Sequence, residues 1–362
     1  MDVRIILLSF LVIISCSDQE IEKEIPVTES EVLNEFIRQA PVQFIVVDTM
    51  ATETISLIEE DIIFDAGDHD EAIELGRLSE VITVGNHFYA WSFGTNRIHR
   101  IDMEGKLSGP YGSIGKGPGE YSLFADFGAN DSLIFMTDLE DARINYYDHD
   151  MNFIGQIDGL MVDNISLNNE YIVFNSRWSG RGFNCDGFIL SRHKIGNMPE
   201  KVEFMPCIIP AGYQPSVHNN AVAKINNNNE VTASYNMLPW MSVFDADLNL
   251  SRTLIIEDPR HAELDMVPIT IRKPNPERNP GGVGGSVLLS EFIYLDNGDL
   301  IIQNKDILHL KKEQDGSYSI KGNYKLLSPE GEYQWIKELH QGKNSQLYAS
   351  NWDRIYKINL PE

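Results

Sequence analysis

The stretch "GSIGKGPGEY", Gly112 to Tyr121, holds four glycines in ten residues. Glycine-rich turns next to a lysine can bring backbone N–H groups against a phosphate. The spacing here does not fit that chemistry. A phosphate-binding loop needs G-x-x-x-x-G-K-[ST], but Gly117 follows Lys116, and no amphipathic helix follows. The dinucleotide pattern fails too, because Glu120 stands where its third glycine belongs. Gly115, Gly117, Pro118, Gly119, Glu120 and Tyr121 read instead as a tight connection between strands, the glycines permitting positive φ and the proline stiffening the turn.

Other chemistry is sparse. H-E-x-x-H, G-x-S-x-G and the EF-hand loop are all absent. "DAGDHDE" (65–71) has oxygen ligands without calcium-loop spacing and reads as a solvated acidic turn. No cofactor is expected, and a structural calcium ion is the one metal the acidity suggests. His69, His99, His261 and His309 are scattered. A catalytic set would need such residues to converge from several parts of the fold, which the sequence neither shows nor excludes. Cys185 and Cys207 either pair in an oxidising compartment or remain buried thiols, and no Cys/His spacing suggests zinc.

Tryptophan and arginine recur in a set of short loops: "FGTNR", "LEDAR", "RWSGRGFNCD", "NMLPW", "NKD" and "NWDR". The ligand-binding candidates are Arg97, Arg143, Arg177, Trp178, Trp240, Trp352, Asp353 and Arg354, with Arg181 and Asp306 beside them. Both residue types are enriched in recognition surfaces, and Trp faces stack on sugars or cations. The competing reading is that Arg–Asp pairs tie neighbouring elements together and Trp packs between them. A long segment, 258–285, adds a basic island of Arg260, His261, Arg272, Lys273 and Arg278.

Composition limits the partners. The chain has 362 residues, 42% of them apolar, and a formal net charge of -25, so a packed core is expected and a nucleic-acid partner is not. At the N-terminus, Arg4 precedes ten nearly continuous apolar residues, Ile5 to Ile14, too few to span a bilayer as a helix. "IISC" ends at Cys16, and polar "SDQE" follows. This resembles a bacterial lipobox, and the acidic residues after it resemble the surface-export signal of Bacteroidetes lipoproteins. The resemblance implies a signal peptide over 1–15 and acyl chains on Cys16. It also implies an outer-membrane address, periplasmic or surface-exposed, with the membrane as a partner through the lipid. A tether and a short helix within "TESEVLNEFIRQAP" complete 16–41, Thr28 and Glu31 forming a capping box and Pro41 ending the helix.

The elements that must position these residues are strands. From residue 42 onward, helical periodicity largely disappears, and short β-rich runs alternate with Asn, Gly and Asp turns. One unit recurs six times: a strand, a loop, then a second strand. The first strands are "HFYAWS", "SLIFMTD", "EYIVFNS", "EVTASYN", "DLIIQNKD" and "QLYASNWD". The second strands are "RIHRIDMEG", "RINYYDHDM", "GFILSRHKIG", "WMSVFDADL", "ILHLKKEQDG" and "RIYKINLPE". Such spacing suits four-stranded blades with variable loops, so 42–362 is expected to be an all-β, six-bladed β-propeller. The last copy has no room for an outer strand. One of the early apolar runs, "VQFIVVD" or "ISLIEEDIIF", is expected to supply it and close the ring.

"NRIHRIDMEGKLSGPYGSIGKGPGEY" resembles the signature of the six-bladed propeller lipoproteins of Bacteroidetes, relatives of the NHL and TolB-like propellers. The match is strong over about 55–160, with Ile101 and Asp102 in the place of a Phe-Asp pair. The resemblance implies a fold and an envelope location, but no catalytic residue. The expected role is a ligand- or partner-binding module, for a glycan, a peptide or an envelope protein, linked to glycan or peptide uptake. The alternatives are a lyase or hydrolase on an extracellular polymer, or a non-enzymatic scaffold.

Overall fold

The computed structural model describes residues 31–68, 75–175, 188–207, 221–235, 238–260, 291–304 and 306–361. Six four-stranded antiparallel units surround a central channel, and their strands are lettered a to d from the channel outwards. Blade 1 is Leu78–Val84, His87–Ser92, Arg97–Asp102 and Leu107–Tyr111. Blade 2 is Phe124–Ala129, Ile134–Asp138, Arg143–Tyr147 and Phe153–Asp158. Blade 3 is Asp163–Leu167, Tyr171–Asn175, Phe188–Lys194 and Asn197–Pro206. Blade 4 is Ala221–Ile225, Val231–Tyr235, Trp240–Phe244 and Leu250–Glu257. Blade 5 is Glu291–Tyr294, Leu300–Asn304, Asp306–Lys312 and Tyr318–Leu327. Blade 6 takes Glu338–Gln341, Leu347–Ser350 and Arg354–Ile358 from the C-terminal part of the chain. Each of the twelve quoted runs contains a b or c strand.

The b strands are almost wholly buried because blades stack face to face, and the c strands bury half or more of their residues. Six hydrophobic clusters result, one between each pair of neighbouring blades. Val173, Leu190 and Phe204 of blade 3, for example, meet Ala233, Trp240 and Phe244 of blade 4. The c–d turns repeat one device. Asp102, Asp148 and Asp245 each accept from the backbone N–H groups two and four residues on, which fixes the hairpin and explains the recurring aspartate.

The ring closes as expected. Ile62–Asp65 pairs antiparallel with Arg354–Ile358 and becomes the outer strand of blade 6. The rest of the early segment does more than the sequence reading foresaw. Val42–Val46 adds a fifth, parallel strand to blade 4, and Glu53–Ser56 adds one to blade 5. Three successive strands of one arm therefore stitch blades 4, 5 and 6 from outside, covering edges that would otherwise be open. Before the arm, the helix Glu31–Ile37 buries Leu33, Phe36 and Ile37 against the cluster of blades 3 and 4. Cys207 is disulfide-bonded. Cys16, Thr28 and Cys185 lie outside the described residues. No described helix is long and apolar enough to cross a membrane.

Candidate functional site

The described b–c loops and crossovers share one face, where Arg143 meets 115–120, Phe93 meets Arg77 and Trp352 meets Trp335. The glycine stretch is the first crossover, and its partner is an arginine. The Arg143 guanidinium donates to the carbonyls of Glu120 (2.7 Å), Lys116 (3.1 Å), Gly115 (3.3 Å) and Gly117 (3.4 Å). It also lies 3.3 Å from carboxylate oxygens of Asp138 and Asp141. Five per cent of Arg143 is exposed. The loop is thus a cradle of carbonyls around a cation, the reverse of a phosphate site. Glu120 holds the turn by accepting from the Gly117 N–H (2.7 Å), and its carboxylate fills the space that a Cβ at Gly115 would need. Tyr121 is buried and donates to the Asn96 carbonyl, while Gly119 has φ +73° and packs on Phe153. Pro118 is exposed on the turn.

Several other candidates also have structural partners. Arg97 donates to the Gly112 carbonyl. Arg354 pairs with Asp65, which ties the arm to blade 6. Arg260 pairs with Asp258 and Asp306 and joins blade 4 to blade 5. Trp240 is the first residue of a c strand rather than a loop residue, is 3% exposed and packs in the blade 3–4 cluster. Asp353 is exposed, and its carbonyl accepts from the Ala66 N–H. Arg177, Trp178, Arg181, His261, Arg272, Lys273 and Arg278 lie outside the described residues. His99 bonds to Thr95 and His309 to Asp299, and burial lowers the pKa of both. Among the described residues, no group of three or more His, Cys, Asp or Glu is placed to hold a metal ion.

Trp352 is different. Its ring stacks on Trp335 (6.0 Å between centroids, 26° between planes) and meets Phe93 at 6.3 Å. Arg77 and Lys337 lie over it at 5.8 and 5.1 Å. Phe93 is 53% exposed and Trp335 49%. Single exposed apolar residues are ordinary, whereas two exposed rings flanking a third make a candidate interaction surface. The backbone fixes each of them. Asn351 accepts from the Asp353 and Arg354 N–H groups and sets Trp352 in a tight turn. The Trp352 carbonyl accepts from Leu78, and the Arg77 carbonyl accepts from Phe93. Trp335 faces out because its neighbours are held: Gln334 accepts from Tyr356, and Ile336 is buried. The sequence singles out Arg97 in "FGTNR" and Trp352, Asp353 and Arg354 in "NWDR". Trp335 and Arg77, on the crossovers into blades 6 and 1, were missed.

The shelf borders the channel through Lys337, whose Nζ reaches Glu338 (2.6 Å) and Glu80 (2.8 Å). The channel holds a cavity of about 420 Å³ lined by all six a strands. Its polar side chains mainly join blades. Glu338 accepts from the Val81 N–H (2.6 Å), Asp126 from Ile165 (2.7 Å) and Ser166 from Ile225 (3.1 Å). Lys224 Nζ lies 2.6 Å from Glu291 Oε1, within ion-pair reach although poorly aligned for a hydrogen bond. Burial pushes Asp126 up to about 8, the nearby charge of Glu80 adding to the effect, and raises Glu338 for the same reasons. Burial, with Lys224 and Lys337 adding, lowers His340 to about 3, so it is a neutral partner of the Ser350 hydroxyl.

No family model matches the chain, and no curated protein does. Solved structures resemble it. A member of the DUF4221 family from Bacteroides vulgatus aligns with a TM-score of 0.50 over 86% of this chain and 100% of that one, at 10% identity. A protein of unknown function from Bacteroides thetaiotaomicron gives 0.50 over 82% and 74%, at 11% identity. A Bacteroides fragilis protein described as exported gives 0.46 over 78% and 80%, at 12% identity. At these identities the likeness concerns the fold, and the fold is the six-bladed β-propeller.

Proposed function

We propose that this protein is an envelope propeller, lipid-anchored at Cys16, that captures an extracellular glycan on its loop-bearing face. The observation that carries the reading is the shelf of Phe93, Trp352 and Trp335 at the channel mouth. The exposed rings of Phe93 and Trp335 suit the apolar side of a sugar ring, and the amide of Asn96, exposed on the Phe93 loop, suits its hydroxyls. Binding is preferred to catalysis because the titratable groups of the channel are already engaged. Asp126 and Glu338 serve neighbouring N–H groups, Lys224 and Lys337 are paired, and His340 is neutral.

Thermal unfolding of the full chain against glycans and peptides tests this, since a ligand that binds only the folded state raises the midpoint. The expected result is a shift with a glycan that disappears in Trp335→Ala and Trp352→Ala. A shift with peptides alone, or one both variants retain, refutes the glycan shelf. Cys16→Ser should release the protein from membranes, and retention there would refute the anchor.

A further inference from the structure

Among the described residues, Arg77 is the cation at the shelf whose guanidinium neither a carboxylate nor a carbonyl engages. Lys337 is held by Glu80, Glu338 and the Ser79 carbonyl. Arg354 is held by Asp65, Arg97 by the Gly112 carbonyl and Arg143 by its cradle. Arg77 is exposed, and its guanidinium lies over the Trp352 ring at 5.8 Å. Its backbone is fixed on both sides, since its carbonyl accepts from Phe93 and the next residue, Leu78, donates to the Trp352 carbonyl. A planar guanidinium resting on an aromatic face is partly immobilised and keeps its edge free for a carboxylate. A net charge of -25 repels anions at long range, so an arginine with no carboxylate or carbonyl partner among the described residues provides local selectivity that the rest of the surface opposes.

Resting on the glycan reading above, we propose that the ligand is an acidic saccharide. One of its rings packs on the exposed Trp335 beside Trp352, and the carboxylate of a uronic-acid unit receives the Arg77 guanidinium. Arg77 is then a specificity-determining residue. Trp335 and Trp352 supply contact area common to any sugar, and Arg77 separates acidic from neutral chains.

The test is calorimetric titration of the full chain with oligosaccharides of galacturonate, mannuronate and glucuronate, each beside its methyl-esterified counterpart. At least one acidic chain should bind tenfold or more tighter than its ester. Arg77→Met, which keeps the apolar stem, should remove that preference while leaving affinity for the ester unchanged. Added salt should weaken the acidic ligand alone, because the pair is exposed to solvent. Equal affinity for acid and ester, or a preference that survives Arg77→Met, overturns the inference and leaves the glycan shelf standing. Binding of neutral glycans only also overturns it. Failure of every saccharide, acidic and neutral, overturns both.

Discussion

Replacing Arg143 by Met should be among the most damaging changes in the molecule. The side chain is 5% exposed and sits between Asp138, itself 1% exposed, and four carbonyls of the glycine crossover. Met keeps most of the apolar volume and removes every donor. Asp138 retains the N–H groups of Ser122 and Leu123 but loses its cation, and the crossover carbonyls lose their shared partner. Breaking a buried pair from one side costs about 3–5 kcal/mol. An unfolding entropy of about 2.1 cal/mol/K per residue over roughly 320 residues gives about 0.7 kcal/mol per degree, so the midpoint should fall by about 4–7 °C. Differential scanning calorimetry reads the shift, and urea unfolding gives the free energy. Arg143→Lys should recover part of the loss, because an ammonium ion reaches fewer of the carbonyls. A loss below about 1 kcal/mol for Arg143→Met would refute the cradle as a structural device and reopen Arg143 as a ligand contact.

Two more outcomes follow from the same geometry. Gly119→Ala should cost about 1–3 kcal/mol in urea unfolding, because φ is +73° and the new Cβ would lie 2.8 Å from the Phe153 ring; an unchanged midpoint would contradict this. Stability should also fall as pH rises through the upper neutral range. Asp126 keeps its proton up to about pH 8 when folded but only to about 3.8 when unfolded, so the folded state binds more protons in between. His340 acts in the opposite direction and below that range: the unfolded chain takes its proton under about 6.5, whereas the folded protein does so only near 3. The urea midpoint should therefore be higher at about pH 7 than at about pH 8.5, and Asp126→Asn should reduce the difference; a midpoint that rises across that interval would count against the assignment.

The ring was largely legible because its b and c strands are long, doubly buried and marked by aspartate turns, as in "RIHRIDMEGK" and "WMSVFDADLN". The arm was not. Glu53–Ser56 has four residues, none of them buried, and is held by backbone pairing with Tyr324–Leu327, which leaves no hydrophobic alternation to read. For the site, loop membership alone could not separate roles. Trp352 lies in its turn, two residues before its c strand, whereas Trp240 is the first residue of its own, and that offset decides between surface and core. Trp335 carries a signal in "YQWIK", where Ile336 points inward and Trp335 must point out, but its place beside Trp352 depends on blade closure. Arg97, Arg143 and Arg354 each open a c strand. Their partners, such as the Glu120 carbonyl for Arg143, are backbone atoms that no sequence pattern displays.

The central claim is that the ligand sits on the aromatic shelf. Hydrogen exchange of the full chain, with and without a glycan mixture, tests it most directly. Protection confined to 75–78, 93–97, 331–337 and 351–354 is the predicted result. Protection of the a strands deep in the channel, or of the outer d strands and the arm, would contradict it.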